Sequence, residues 1–274
     1  MLGAVLLVVV SRAGSDPPPA ARCLMAAKPA ARWALPPRFR EVSGLALTPD
    51  GKLLLHNDEE GLVAVFDPAT GLVSAVYQLG AKLAKGDFEG IAIGDGRIFL
   101  TTSDGNFLNA PLPVPGTPSG VLPASMTETG LGEHCEIEGL AFERRTHLLL
   151  FACKSPREKK LAGEVTIYRW SVADGRLADP KRLEIPLASL PGRLARSFRP
   201  SSLDLDPRTG DYVVISSADH GFLVLDPGGK LTAAGDLPRH HRQPEGLAIA
   251  PDGRLFISDE GGRSRGTITA YGCR

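Results

Sequence analysis

Apolar positions in this chain fall into short runs broken by Gly, Pro and Asp, not into long stripes with a helical period. That pattern predicts strands joined by tight turns. One phrase recurs before these runs: Val42-Ser43-Gly44-Leu45-Ala46, Phe88-Glu89-Gly90-Ile91-Ala92, Ile137-Glu138-Gly139-Leu140-Ala141, Pro200-Ser201-Ser202-Leu203-Asp204 and Pro244-Glu245-Gly246-Leu247-Ala248. Its third positions, Gly44, Gly90, Gly139, Ser202 and Gly246, lie 46, 49, 63 and 44 residues apart. A strand-rich period of roughly 40 to 50 residues is the signature of propeller blades.

Each phrase opens a repeated unit. A turn follows it, such as Pro49-Asp50-Gly51 or Pro251-Asp252-Gly253, and then a second apolar run. Pro presets φ and Gly accepts a positive φ, so these tripeptides reverse the chain. Third strands are predicted over 62–66, 165–169, 221–225 and 267–271, and fourth strands over 72–79, 182–187 and 230–236. The long third step carries an insertion around 188–197. The expected fold is therefore all-β: a five-bladed propeller of four-stranded antiparallel blades, with six blades the alternative. The fifth unit ends after its third strand, and Ala31-Arg32-Trp33-Ala34-Leu35 is the candidate for its missing outer strand. An N-terminal strand would then close the ring and remove the exposed sheet edges. The small Gly and Ala residues of the phrase are expected where blades crowd the axis.

Residues 30–274 are expected to form a single propeller domain, preceded by a poorly ordered signal-like and linker segment over 1–29. Leu2 to Val10 is apolar but too short to span a bilayer, and it resembles the apolar region of a secretory signal, with 11–15 as the processing zone. A charged segment before it is missing. Export to the periplasm or beyond is expected, with a cytoplasmic location the alternative. Residues 16–21 read as a Pro-rich linker.

Of the 274 residues 43% are hydrophobic, enough for a substantial core, and 31 basic residues balance 31 acidic ones. That balance offers no basic surface for nucleic acid, and no stable membrane insertion or oligomer is expected. Four cysteines, Cys23, Cys135, Cys153 and Cys273, include no C-x-x-C pair, which argues against a zinc or thioredoxin-like site. Cys23 could pair with Cys273 across the ring closure and Cys135 with Cys153 across one hairpin; free buried thiols are the alternative.

Core packing does not call for Glu89, Glu138 and Glu245 at the second phrase position. Side chains two apart in a strand share a face, which adds Glu41 beside Ser43, Asp87 beside Glu89, Glu136 beside Glu138 and Gln243 beside Glu245. The fourth unit offers Arg199 and Ser201. Second strands return to the same end of each blade, carrying Asp58, Asp104, Lys154, Asp219, Asp259 and Glu260. The expectation is an acidic channel mouth. Crowded carboxylates raise one another's pKa, and either a bound cation or a positive partner such as Lys154 or Arg199 relieves them. The oxygen-only donor set of Glu41, Asp58, Glu89, Asp104, Glu138, Glu245 and Asp259 suits Ca²⁺ or Mg²⁺ over zinc or copper. The six histidines form no metal-spaced set, although the loop pair His240-His241 stands near the mouth in sequence. No nucleophile elbow, Walker loop or dinucleotide fingerprint is present.

Taken in order, Glu41-x-Ser43-Gly44-Leu45, Asn57-Asp58-Glu59-x-Gly61, Gly86-Asp87-Phe88-Glu89-Gly90-Ile91, Ser103-Asp104-Gly105, Glu138-Gly139-Leu140, Ala152-Cys153-Lys154, Arg199-Pro200-Ser201, Gln243-Pro244-Glu245-Gly246 and Ile257-Ser258-Asp259-Glu260 resemble the SdiA-regulated domain family, typified by the bacterial protein YjiK. The resemblance runs from about Leu35 to Tyr271. It implies a five-bladed propeller, a bound Ca²⁺, distant kinship to NHL repeats and export in many members, but no particular reaction. The Ser and Arg of the fourth unit break the acidic ring. The function expected is an exported calcium-binding propeller serving as a binding module for a small molecule or protein at its mouth. The alternatives are a Ca²⁺-dependent lactonase- or phosphoesterase-like hydrolase with Glu89, Glu138 or Glu245 as base, and a purely structural calcium.

Overall fold

The computed structural model describes residues 16–26 and 28–272. The signal-like segment and Cys273 lie outside the described residues. Five inner strands, Val42–Leu47, Phe88–Gly94, Cys135–Glu143, Ser202–Leu205 and Pro244–Ile249, stand around one axis. Each touches the next, and the fifth touches the first, so the ring closes at five blades and not six. Each inner strand begins an antiparallel meander.

Blade five is completed from the other end of the chain. Its three C-terminal strands, Pro244–Ile249, Arg254–Asp259 and Thr267–Gly272, are joined by Ala31–Ala34, which pairs antiparallel with Thr267 to Ala270. Trp33 lies opposite Ile268 in that register and meets Phe66 edge-on at 5.5 Å. The strand predicted to close the ring therefore does so.

The glycines of the phrase sit where neighbouring inner strands touch. A Cβ on Gly90 would come within 2.7 Å of the Leu140 backbone nitrogen, and one on Gly246 within 2.9 Å of the Leu45 nitrogen. A side chain at either position would force two blades apart. The core fills the seams further out, for example where Phe99 stacks on Phe142 at 6.0 Å and meets Phe107 edge-on at 5.9 Å. Polar contacts add to this at the end where first and second strands turn. Tyr212 Oη donates to the buried Glu143 at 2.8 Å, and the Asp204 carboxylate accepts from the Ile249 amide at 2.8 Å.

Three features depart from or extend the sequence reading. First, residues 19–26 were expected within a poorly ordered linker, yet Pro19–Ala26 forms a helix. Pro19 takes the first helical position, where its missing N–H costs nothing, and Ala20, Ala21 and Leu24 bury one face against Phe222, Leu237 and Tyr271 of blades four and five. Second, the insertion around 188–197 forms two 3-10 turns, Leu187–Ser189 and Gly192–Ala195, which place Leu190 and Leu194 in the core between blades three and four. Third, the chain does not pass directly from the third to the fourth strand of blade two. It crosses to blade one, where Gly120–Leu122 adds a parallel fifth strand beside Tyr77, Gln78 and Leu79, and returns as Ser125–Thr127.

Cys135 and Cys153 form a disulfide between the first two strands of blade three, and Cys23 is also disulfide-bonded. The Cys135–Cys153 crosslink spans 18 residues. A loop of that size predicts that replacing both cysteines by alanine lowers stability by about 3 kcal/mol, read as an earlier urea midpoint with unchanged slope. An unchanged midpoint would contradict it.

Candidate functional site: an acidic channel mouth

The site begins with a repeated irregularity. In blade one the pairing runs from Val42–Asn57 to Gly44–His56, which leaves Ser43 without a partner residue. Glu89, Glu138 and Glu245 are skipped in the same way in blades two, three and five. Each is the extra residue of a β-bulge, a device that re-aims a side chain and breaks the ladder locally. In blade three Lys154 is skipped on the facing strand as well, between Cys153 and Ser155. The disulfide holds the two strands together beside these bulges.

Lys154 is the positive centre of the mouth. Its ammonium donates to the buried Glu138 and lies 3.6 Å from Glu136. Its charge also reaches Glu89, Glu245 and Glu260. These three carboxyls carry the cost of the arrangement. Burial first, then the charge of Asp87, pushes Glu89 up to about 9, and the hydrogen bond that protonated Glu89 donates to the Asp87 carboxylate acts the same way. Burial and Glu260 push Glu245 up to about 8, against a hydrogen bond from Ser217. Burial, Asp58 and Glu41 push Glu260 up to about 7, against the hydroxyl of Ser43, 3.4 Å away. Asp58 is raised too, by burial and by Glu59, Glu41 and Asp87, and its Oδ1 is buried without a hydrogen-bond partner among the described residues. Gln243 closes the rim, donating to Glu260 at 3.2 Å, while Glu41 also pairs with Arg40 at 3.1 Å.

Other residues expected here are placed elsewhere. Ser201 is buried: its hydroxyl donates to the Pro244 carbonyl at 2.6 Å and accepts from the Ser217 amide at 3.1 Å, which ties blade four to blade five. The backbone amide of Arg199 donates to Asp219, whose carboxylate also accepts from Ser216. Asp104 is exposed and faces Arg157 at 3.6 Å. Asp259 precedes Glu260 and takes the opposite face, where its Oδ2 lies 2.6 Å from His241 Nδ1, although its charge still raises Glu245. His240 and His241 stand not at the mouth but against the Tyr271 hydroxyl. Strand ends reach one end of the propeller, as the meander demands, but turn geometry decides which acids face inward. Ser217 is not among the expected site residues: it stands at a second-strand end like the acids, but it lacks charge.

Among the described residues, no three His, Cys, Asp or Glu side chains are drawn together as a metal cage. The donor chemistry nonetheless fits a hard cation. All the inward groups offer oxygen, they outnumber the one ammonium, and Asp58 Oδ1 is an unused buried acceptor. The arrangement offers oxygen donors of the type that suits a hard cation, and it favours a proton on Glu89 at neutral pH.

The fold is a five-bladed β-propeller with an acidic mouth at one end. Among solved structures it is similar to the glutaminyl cyclase of Myxococcus xanthus, at 13% identity and a TM-score of 0.59, covering 89% of this chain and 94% of that one. It is also similar to the PQQ-bound aldose sugar dehydrogenase of Streptomyces coelicolor, at 15% identity and a TM-score of 0.53, covering 93% and 99% respectively. Likeness at such identities shows the fold alone. No protein-family model and no curated protein sequence matches the chain.

The raised carboxyls make stability depend on pH. The unfolded chain releases these protons near the ordinary glutamate value of 4.5, whereas folded Glu89 keeps its proton to about 9. Stability from this group therefore falls as pH rises through that window. Glu89→Gln should melt close to wild type at about pH 5 and increasingly above it towards about pH 9. Thermal unfolding across pH checks this; a constant difference would refute it.

Proposed function

We propose that this protein is an exported propeller that acts as a binding module and takes a cation at its channel mouth, with Ca²⁺ the ion that suits the donors. One observation carries the reading: Glu89, Glu245 and Glu260 are withdrawn from water around a single ammonium, Lys154. Carboxylates so placed favour a ligand that neutralises them. Glu89, Glu245, Glu260 and Asp58 would hold the ion, leaving Glu138 with Lys154. Bound Ca²⁺ supplies positive charge and Lewis acidity at the mouth. The ordered motifs support kinship with the SdiA-regulated domain family. The disulfides support export, because such bonds persist in oxidising compartments. No helix among the described residues is long and apolar enough to cross a membrane.

A second reading is a Ca²⁺-dependent hydrolase of lactones or phosphoesters. The protonated Glu89 beside Asp87 favours it, since a carboxyl that keeps its proton at neutral pH can serve as a general acid. Enzymes such as the glutaminyl cyclase and sugar dehydrogenase above use the same fold, and the fold by itself does not select between the readings.

Calcium titration decides the first reading. Saturating Ca²⁺ at about 100 times its dissociation constant should stabilise the chelator-treated protein by about 2.7 kcal/mol, read as a rise in melting temperature. The double substitution Glu89→Gln and Glu245→Gln should abolish the rise. A melting temperature indifferent to Ca²⁺ would overturn it. Turnover of a lactone or phosphoester that is lost in Glu89→Gln would instead establish the hydrolase.

A further inference from the structure

The far end of the propeller carries a feature that the mouth does not explain. The seam between blades one and two holds a cavity of about 540 Å³. Blade one contributes Leu54, Val65, Ala75 and the ring of Tyr77, and the crossing segment from blade two contributes Leu112 and Val114. The volume lies within the range of about 300–1,000 Å³ that small-molecule sites occupy, and so does the mainly apolar lining.

The crossing segment is fastened at several points and bridges the cavity between them. The Leu112 amide donates to the Gly96 carbonyl at 2.8 Å, and the Gly80 amide to the Leu122 carbonyl at 2.8 Å. Between these, Tyr77 Oη donates to the Thr117 carbonyl at 2.6 Å and the Val76 amide to Ser119 Oγ at 3.0 Å. Pro113, Pro115 and Pro118 stiffen the span and bring no N–H groups that need partners. The wall is therefore preformed, which lowers the ordering cost of binding. Val114, at the opening, is 74% exposed, an apolar side chain kept in water.

Charge at the rim identifies the polar end of the ligand. Lys52 forms an ion pair with Asp50, which also stands at the rim, but its Nζ lies 3.6 Å from Oδ2, beyond good hydrogen-bond distance, while Asp50 Oδ1 accepts from Thr48 at 2.6 Å. The lysine thus retains donors for an incoming anion. We propose that this seam is a second binding site, for a small amphipathic carboxylic acid. Its apolar body fills the space beneath the crossing segment and its carboxylate meets Lys52. The site stands apart from the acidic mouth, which would repel the same ligand.

Calorimetric titration of the full chain with decanoate, and in parallel with uncharged 1-decanol, tests this. Decanoate should bind saturably at one site. Lys52→Met should weaken it about tenfold, the worth of one charge-assisted contact, while leaving decanol unchanged. Ala75→Phe should remove both by filling the cavity. Should that buried change prevent folding, the exposed Val114→Asp should weaken decanoate by repulsion at the opening. Absence of saturable decanoate binding would overturn the proposal. Binding that both Lys52→Met and Val114→Asp leave unchanged would overturn it equally.

Discussion

The close approach of five backbones around one axis governs this molecule. Gly90 and Gly246 show how little room there is: their neighbours' backbone nitrogens stand where a Cβ contact would fall. Past each glycine the inner strand runs in a regular ladder. At the mouth the ladder slips by one residue, and the bulged residue turns out of the sheet. The glutamate that reaches the mouth and the glycine that admits the neighbouring blade thus stand side by side in the chain.

That placement sets the electrostatics. Carboxylates carried inward from separate blades lose water and approach one another, and both effects favour the protonated form. One lysine offsets this, held where a disulfide joins its strand to the strand carrying Glu136 and Glu138. Blade four adds no acid to the cluster, only the Ser217 hydroxyl that donates to Glu245. Its serine at the phrase position fastens the ring to blade five instead, with both hydroxyl functions engaged by backbone. The asymmetry that the repeat displays as a missing acid is a structural joint.

Much of the architecture was legible along the chain. The phrase counted the blades, and the apolar run around Trp33 supplied the strand that blade five lacked. Those features are local or periodic, and periodicity survives without knowledge of distances. The crossing segment of blade two is not legible along the chain, because its step of 49 residues resembles the 46 of blade one, although the chain within that step pairs with another blade. The helix over Pro19–Ala26 escaped for a different reason: its eight residues are too few to be stable alone, and only the surface beneath them makes the conformation favourable.

The candidate site divides along the same line. Sequence alone determined which residue types return to one end of each blade, because an antiparallel meander brings every first strand's start beside the second strand's end. Tertiary structure decided which of them meet. Asp104 faces Arg157, Asp259 turns to His241, and Ser201 is buried in a joint. Glu89, Glu245, Glu260 and Asp58 share a field with Lys154 or with one another. The reason is that a repeat specifies strand order and direction, whereas burial and charge depend on bulges, turns and neighbouring blades, which exist only once the ring has closed.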